Sequence, residues 1–195
     1  EATMTLYAIA LQGGMYQIFA PDIEQHNVVN HLTREEMPEK RNVLVEAARI
    51  ARGSIAPLSD YSAPNFDALI FPGGFGVAKN LCTYAFDGSA CTVNAEVQAA
   101  ITETHKAGKP IGALCIAPVM LARLIPGATL TMGHGNSAIS DVESMGAHHQ
   151  NTNHGEVVVD RKNLLFTTPC YMLKASIVDI ANGAMALVGK MLEFA

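Results

Sequence analysis

Residues 108–118 read GKPIGALCIAP and join a helix end, a strand and the start of a second helix. Gly108 ends the preceding helix. The apolar run Ile111–Leu114 predicts a fully buried strand. Pro118 lies in the first turn of the next helix, where its missing N–H is not needed. The stretch therefore predicts that Cys115 lies at the turn between a buried strand and a helix.

Strands and helices alternate on both sides of this turn. Before it, apolar periodicity and turn residues predict a helix Met4–Ala10, a strand Met15–Ala20, a helix Arg41–Arg52, a strand Ala68–Phe71 and a helix Asn94–Ala107. After it, they predict a helix Ile116–Leu124, a strand Ala128–Met132, a short helix Ala138–Met145, a hairpin within Val157–Thr168 and a final helix Lys174–Leu192. Continuous apolar strands that alternate with helices are typical of a mostly parallel sheet covered on both faces. At this length we expect one α/β domain over residues 1–195.

The first predicted helix has no strand before it. In a doubly wound sheet a strand feeds each helix, and this sequence enters the helix directly from Glu1 and Ala2. We therefore expect that a strand of the sheet precedes Glu1.

The composition favours extensive burial and argues against two classes of partner. Apolar residues make up 49% and charged residues 16%, against a usual charged share of about a quarter. We expect part of the buried surface to lie against a second copy, in a homodimer. The 13 basic and 18 acidic residues form no long run of one sign, which argues against nucleic acid as a partner. No stretch approaches the roughly 20 apolar residues that span a bilayer, so we expect no membrane partner.

The four cysteines predict free thiols in a reducing compartment. Cys82, Cys91, Cys115 and Cys170 are irregularly spaced, with no C-x-x-C pair and no Cys/His cluster at zinc spacing. We expect no metal site.

Cys115 is the candidate nucleophile. Reactive groups gather at the carboxyl ends of parallel strands, which is where the sequence puts this residue. The following helix directs its N-terminal N–H groups toward the sulfur, so we expect a stabilised thiolate. The alternative is a buried cysteine that packs as a small hydrophobic residue.

A second turn follows the strand Ala68–Phe71. Pro72, Gly73 and Gly74 allow a tight turn whose backbone N–H groups form an anion pocket facing Cys115. The residues after the glycines do not match a phosphate-binding loop.

Three segments closely resemble the ElbB-like family. They are LIFPGGFGVAKNL at 69–81, GKPIG through CIAP within 108–118, and TTP at 167–169. These are the glyoxalase or "enhancing lycopene biosynthesis" proteins of the PfpI, class-I-glutamine-amidotransferase-like superfamily. The resemblance covers nearly the whole chain and implies a flavodoxin-like three-layer sandwich.

The resemblance also implies the site. Cys115 is the nucleophile, and a glutamate at the start of the first helix, matching Glu1, shares a proton with it. From the two turns themselves, we expect backbone N–H groups at Gly73, Gly74 and Ile116 to stabilise the oxyanion.

One departure from the superfamily concerns histidine. The protease-like branch has a histidine directly after the cysteine, where this sequence has Ile116. Protease and glutaminase activities are therefore not expected. His134 lies on a loop after the next strand and is a candidate to approach Cys115 from the side, the alternative being a solvent-facing loop histidine.

The expected reaction is conversion of glyoxal or methylglyoxal to glycolate or lactate, with no cofactor. Cys115 adds to the aldehyde and Glu1 moves a proton between adjacent carbons; deglycase activity would follow from the same addition. Two alternatives stay open: a non-enzymatic redox or stress sensor built on Cys115, and an accessory protein of isoprenoid biosynthesis. The resemblance implies a cytoplasmic location in bacteria and a mitochondrial one in eukaryotes.

Overall fold

The computed structural model describes residues 1–195, which form seven α-helices and ten strands. The helices are α1 Ala2–Leu11, α2 Val43–Ala51, α3 Tyr84–Asp87, α4 Ala95–Lys106, α5 Pro118–Leu124, α6 Ala138–Ser144 and α7 Ile177–Leu192. The strands are β1 Ile18–Ala20, β2 Val28–Val29, β3 Glu36–Met37, β4 Ile55–Pro57, β5 Leu69–Phe71, β6 Ile111–Leu114, β7 Thr129–Leu130, β8 His148–His149, β9 Val158–Asp160 and β10 Leu165–Thr168.

The central sheet has the order β5-β6-β10-β9, parallel except for the antiparallel β9-β10 hairpin. The parallel pairs β1-β4 and β7-β8 and the small antiparallel pair β2-β3 are separate from it. Every residue of β6 and β10 is buried, as continuous apolar runs predict.

Helices cover both faces of this sheet. Alternate residues of β6 enter different cores: Ile111 and Ala113 join the core formed with α4, α5 and α6, whereas Leu114 joins the core formed with α7 and Ala8 of α1. At Gly112, α7 approaches so closely that a Cβ would lie 2.6 Å from the sulfur of Met191. The expected three-layer α/β sandwich is thereby confirmed.

Local signals fix the ends of the main helices. Asn94 caps α4 by accepting hydrogen bonds from the N–H groups of Glu96 and Val97. Ser176 and Asp179 form a reciprocal capping box at the start of α7, so this helix begins at Ile177 rather than at the expected Lys174. No helix has both the length and the apolar character needed to cross a bilayer.

The prediction of a buried strand over Met15–Ala20 is wrong in its first half. Only Ile18–Ala20 is a strand, and Met15 is 97% exposed. The reason is the pairing partner: β4 begins at Ile55, in register with Ile18, immediately after the turn that ends α2. The residues before Ile18 therefore have no strand to pair with in β4.

An apolar cavity of about 770 Å³ lies between β1 and β5. Its walls include every residue of both strands, Ile18–Ala20 and Leu69–Phe71, together with Ala2, Thr5 and Leu6 of α1. A cavity against one face of a strand would be lined by alternate residues. Here consecutive residues line it, so the cavity faces the edges of both strands. The cavity therefore separates the pair β1-β4 from the central sheet.

Candidate functional site

Cys115 lies in the turn between β6 and α5, as the sequence predicts. Its φ of 58° is in the left-handed region, which is uncommon for a residue with a side chain and is often found at functional sites. The Cys115 N–H donates to the carbonyl of Thr168 at 3.0 Å, so the end of β10 holds the turn in place. The residue is only 8% exposed.

The glycine turn after β5 faces this sulfur. The backbone N–H groups of Gly74 and Ile116 both donate toward the Cys115 sulfur. A Cβ on Gly73 would lie 2.6 Å from the Leu114 carbonyl oxygen and 2.9 Å from the Cys115 Cβ, at a φ of +83°. Only glycine permits this approach, so Gly73 brings the Gly74 donor within reach of the site.

The Glu1 carboxylate lies beside the same thiol. It acts on Cys115 through its charge and as a hydrogen-bond acceptor. The Tyr171 N–H donates to Glu1 Oε1 at 3.4 Å, and the Glu1 carbonyl accepts the first hydrogen bond of α1, from the Thr5 N–H at 2.9 Å. The fold thus unites two residues that lie far apart in the sequence.

Burial and the Glu1 carboxylate raise the pKa of Cys115 to about 12, against the opposing effect of the Gly74 and Ile116 N–H groups. The expectation of a resting thiolate is therefore wrong. At neutral pH the proton stays on sulfur. The Glu1 carboxylate is placed to accept that proton, and the two N–H groups are placed to hold the resulting thiolate.

His134 forms no hydrogen bond to Cys115 or Glu1. His134 is exposed on the loop after β7, and its imidazole makes no hydrogen bond to Cys115. Its backbone carbonyl accepts a bond from the Asn136 side chain at 3.5 Å. No histidine acts on the charge of Cys115. A catalytic role for His134 stays a prediction that this geometry does not support.

Cys170 is a site residue that the sequence analysis did not identify. It follows β10, is 4% exposed, and has a φ of 44°. Burial and the Glu1 carboxylate raise the pKa of its thiol, and the Cys115 backbone N–H acts to lower it. The one signal in the sequence was its position just past the carboxyl end of the strand that neighbours β6. No group of three or more His, Cys, Asp or Glu side chains is arranged to hold a metal ion.

Comparison with known proteins gives relatives over the full length of the chain, although no family model matches it. The human glutamine amidotransferase-like class 1 domain-containing protein 3, mitochondrial, is 44% identical over 203 residues, covering 99% of this chain and 76% of the human protein. An isoprenoid biosynthesis protein with an amidotransferase-like domain from Ehrlichia chaffeensis has a crystal structure that superposes with a TM-score of 0.92 at 32% identity, covering 100% of this chain and 91% of that one.

More distant structures share the fold alone. Glyoxalase III from Candida albicans superposes with a TM-score of 0.59 at 14% identity, covering 98% of this chain and 85% of that one.

Proposed function

We propose that this chain, which belongs to the family of glutamine amidotransferase-like class 1 domain-containing proteins, converts small α-oxoaldehydes to 2-hydroxy acids. The observation that carries the proposal is the placement of the Glu1 carboxylate beside a buried, protonated Cys115 that also faces two backbone N–H donors. A nucleophile, a proton acceptor and an oxyanion pocket are the groups that this reaction requires.

The first step is addition of the thiol to the aldehyde. Glu1 accepts the thiol proton as sulfur bonds to one carbonyl carbon of glyoxal. The N–H groups of Gly74 and Ile116 donate to the negative charge that develops there. Return of the proton to oxygen gives a hemithioacetal.

The second step moves a proton between carbons. Glu1 removes the hydrogen from the thiol-bearing carbon, giving an enediol, and returns a proton to the neighbouring carbon. The product is a thioester of glycolate with Cys115. Water hydrolyses the thioester to glycolate and regenerates the thiol, so glyoxal plus water yields glycolate without net oxidation or reduction.

The test is release of glycolate from glyoxal by the purified protein, without glutathione or added metal. We expect Cys115→Ala to abolish turnover and Glu1→Gln to lower kcat/KM by about 10²- to 10⁴-fold, the usual contribution of general acid–base catalysis. Glu35→Gln, which changes an exposed glutamate outside the site, is the matched control. Turnover that survives Cys115→Ala, or that is absent from the wild type, would overturn the proposal.

The sensor alternative requires an exposed thiolate that is oxidised without proton transfer to Glu1, and burial and a raised pKa of Cys115 oppose that form of oxidation. The Glu1→Gln variant separates the two functions. Removing the carboxylate charge lowers the pKa of Cys115, so alkylation by iodoacetamide should become faster while glycolate release falls. A sensor that needs only its thiolate would keep its response to oxidation in this variant.

The remaining proposals rest on the names of relatives. The Ehrlichia protein is named for isoprenoid biosynthesis, and an accessory role there is a second function to test by identifying proteins that co-purify with this one. The human relative is named as mitochondrial, which supports a mitochondrial location if the source is eukaryotic. A bacterial source would place the protein in the cytoplasm.

A further inference from the structure

Cys115 and Cys170 leave the sheet side by side. Leu114 and Thr168 are register partners in the parallel pairing of β6 and β10, and each thiol follows within two residues. Neighbouring strands lie about 4.8 Å apart, which is within the Cα separation of about 4.4–6.8 Å that a disulfide spans. The register therefore brings the two thiols to the same end of this strand pair.

The two sulfurs also share one set of contacts. The Glu1 carboxylate raises the pKa of both thiols, the Cys115 N–H acts to lower that of Cys170, and both residues belong to the same apolar core. The Gly74 and Ile116 N–H groups, in contrast, act on Cys115 alone. Cys115 is thus the thiol whose thiolate the site can hold.

We propose that Cys170 is the resolving thiol of Cys115, and that a peroxide converts the pair to a reversible disulfide that protects the site. The proposal uses the same proton transfer to Glu1 as the proposed function, but its product is a covalent bond that can be detected whether or not the protein turns over glyoxal.

The chemistry takes two steps. Cys115 passes its proton to Glu1 and attacks one oxygen of hydrogen peroxide, which gives a sulfenic acid at Cys115 and, with the proton, one water. The Cys170 sulfur then attacks the Cys115 sulfur, and its proton leaves with the hydroxyl group as a second water. Peroxide is reduced, the two thiols are oxidised to a disulfide, and a dithiol reductant restores both.

The protonation of Cys170 fits this order of events. Burial and the Glu1 carboxylate raise the pKa of both thiols to about 12, but only Cys115 has the Gly74 and Ile116 N–H groups to hold its thiolate, so Cys115 is the first target for oxidation. The Cys170 thiol becomes reactive only when Cys115 has become a sulfenic acid. The hydroxyl group that leaves Cys115 then takes up the Cys170 proton. Without Cys170, a sulfenic acid at Cys115 has no adjacent thiol and proceeds to the irreversible sulfinic acid.

The experiment treats the protein with a small excess of hydrogen peroxide, blocks free thiols, and maps its peptides by mass spectrometry. In the wild type we expect loss of two hydrogens and a single cross-link between Cys115 and Cys170, removed by dithiothreitol. In Cys170→Ala we expect two oxygens added at Cys115, with no recovery on reduction. Any glyoxalase activity should follow the same pattern, each variant being compared with its own untreated sample.

Cys82 and Cys91 provide an internal control. They are another pair of buried thiols that interact with each other, and Cys82 packs in the core on the opposite face of the sheet. Cys82→Ala should leave the Cys115–Cys170 cross-link unchanged. Peroxide treatment that gives sulfinic acid at Cys115 in the wild type, or a cross-link only between Cys82 and Cys91, would overturn the proposal.

Discussion

At the scale of single residues, the site depends on how closely a glycine lets one loop approach another. Gly73 has a φ of +83° and no space for a Cβ, because the Leu114 carbonyl and Cys115 Cβ lie against it. Gly13 has the same φ of +83°, but a Cβ added there would meet no atom within 4 Å, since this glycine lies exposed after α1. Comparing substitutions at Gly13 and Gly73 therefore separates the cost of backbone strain from the cost of steric contact.

We expect Gly13→Ala to lower the free energy of unfolding by about 1–2 kcal/mol, the usual cost of a left-handed residue with a side chain. Gly73→Ala should lower the free energy of unfolding by about 1–3 kcal/mol more than Gly13→Ala, because of the close contacts. It should also abolish glycolate release, because the Gly74 donor moves away from Cys115. Urea unfolding and kcat/KM measure the two effects. Equal losses in stability, with activity retained in both variants, would show that the close approach is unimportant.

The contacts of single residues also explain why the charge state of Cys115 was mispredicted. Sequence position revealed the N–H groups at the turn, but burial depends on every segment that covers the sulfur. Burial in the core and the Glu1 carboxylate, which is far from Cys115 in the sequence, raise the thiol pKa. Long-range packing therefore outweighed a correctly predicted local effect.

At the scale of secondary-structure elements, Asp160 connects β7 to the turn of the β9-β10 hairpin. Its Oδ2 accepts from the Thr129 N–H at 2.8 Å and from the Asn163 side chain at 2.8 Å, and its Oδ1 accepts from the N–H groups of Lys162 and Asn163. Burial acts to raise the pKa of Asp160, but these hydrogen bonds lower it by more.

We expect Asp160→Asn to lower the free energy of unfolding at pH 7 by about 1–3 kcal/mol, because an amide nitrogen would face a donor that now meets oxygen. The contribution of the charge is present above the unfolded pKa of about 3.9 and is lost as pH falls through the lower folded pKa. Urea unfolding from pH 7 to pH 3 should therefore show the wild type and variant converging toward acid. The exposed Asp60→Asn is the control, and a constant difference across this range would contradict the prediction.

The small elements show where sequence reasoning fails. The strands β2 and β3 have two residues each, and β4 ends at Pro57, so none has an apolar period long enough to detect. By contrast, β6, β10, α4 and α7 were predicted because their apolar runs or caps are local features. The glycine turn and the Cys115 turn were predicted for the same reason.

At the scale of the whole molecule, the cavity between β1 and β5 bears on the expectation that a strand precedes α1. β1 pairs only with β4, and β5 only with β6, so each has an edge whose backbone groups are available to a further strand. An apolar strand placed there would join the pair β1-β4 to the central sheet. This expectation stays a prediction, and the homodimer and the single domain also stay predictions.

A chain extended by such a strand, placed before Glu1, should be more stable and should protect both edges. We expect hydrogen exchange at the amides of Ile18–Ala20 and Leu69–Phe71 to slow, relative to the 195-residue chain. The amides of β6, which already pairs with β5 and β10, are the control. Any slowing of their exchange measures the general gain in stability, and the slowing at β1 and β5 should exceed it. Unchanged exchange at β1 and β5 would show that the cavity is not a strand position.

The sequence by itself determined the α/β class, most of the long elements, the turn that carries Cys115 and the glycine turn opposite it. Apolar periodicity, capping residues and glycine act over a few neighbouring residues, so they can be recognised without a fold. The tertiary structure alone decided the protonation of Cys115, the exposure of His134 without a hydrogen bond to Cys115, and the position of Cys170 in the same core as Cys115. These depend on burial and on contacts between distant segments, which exist only once β6, β10 and α1 are assembled.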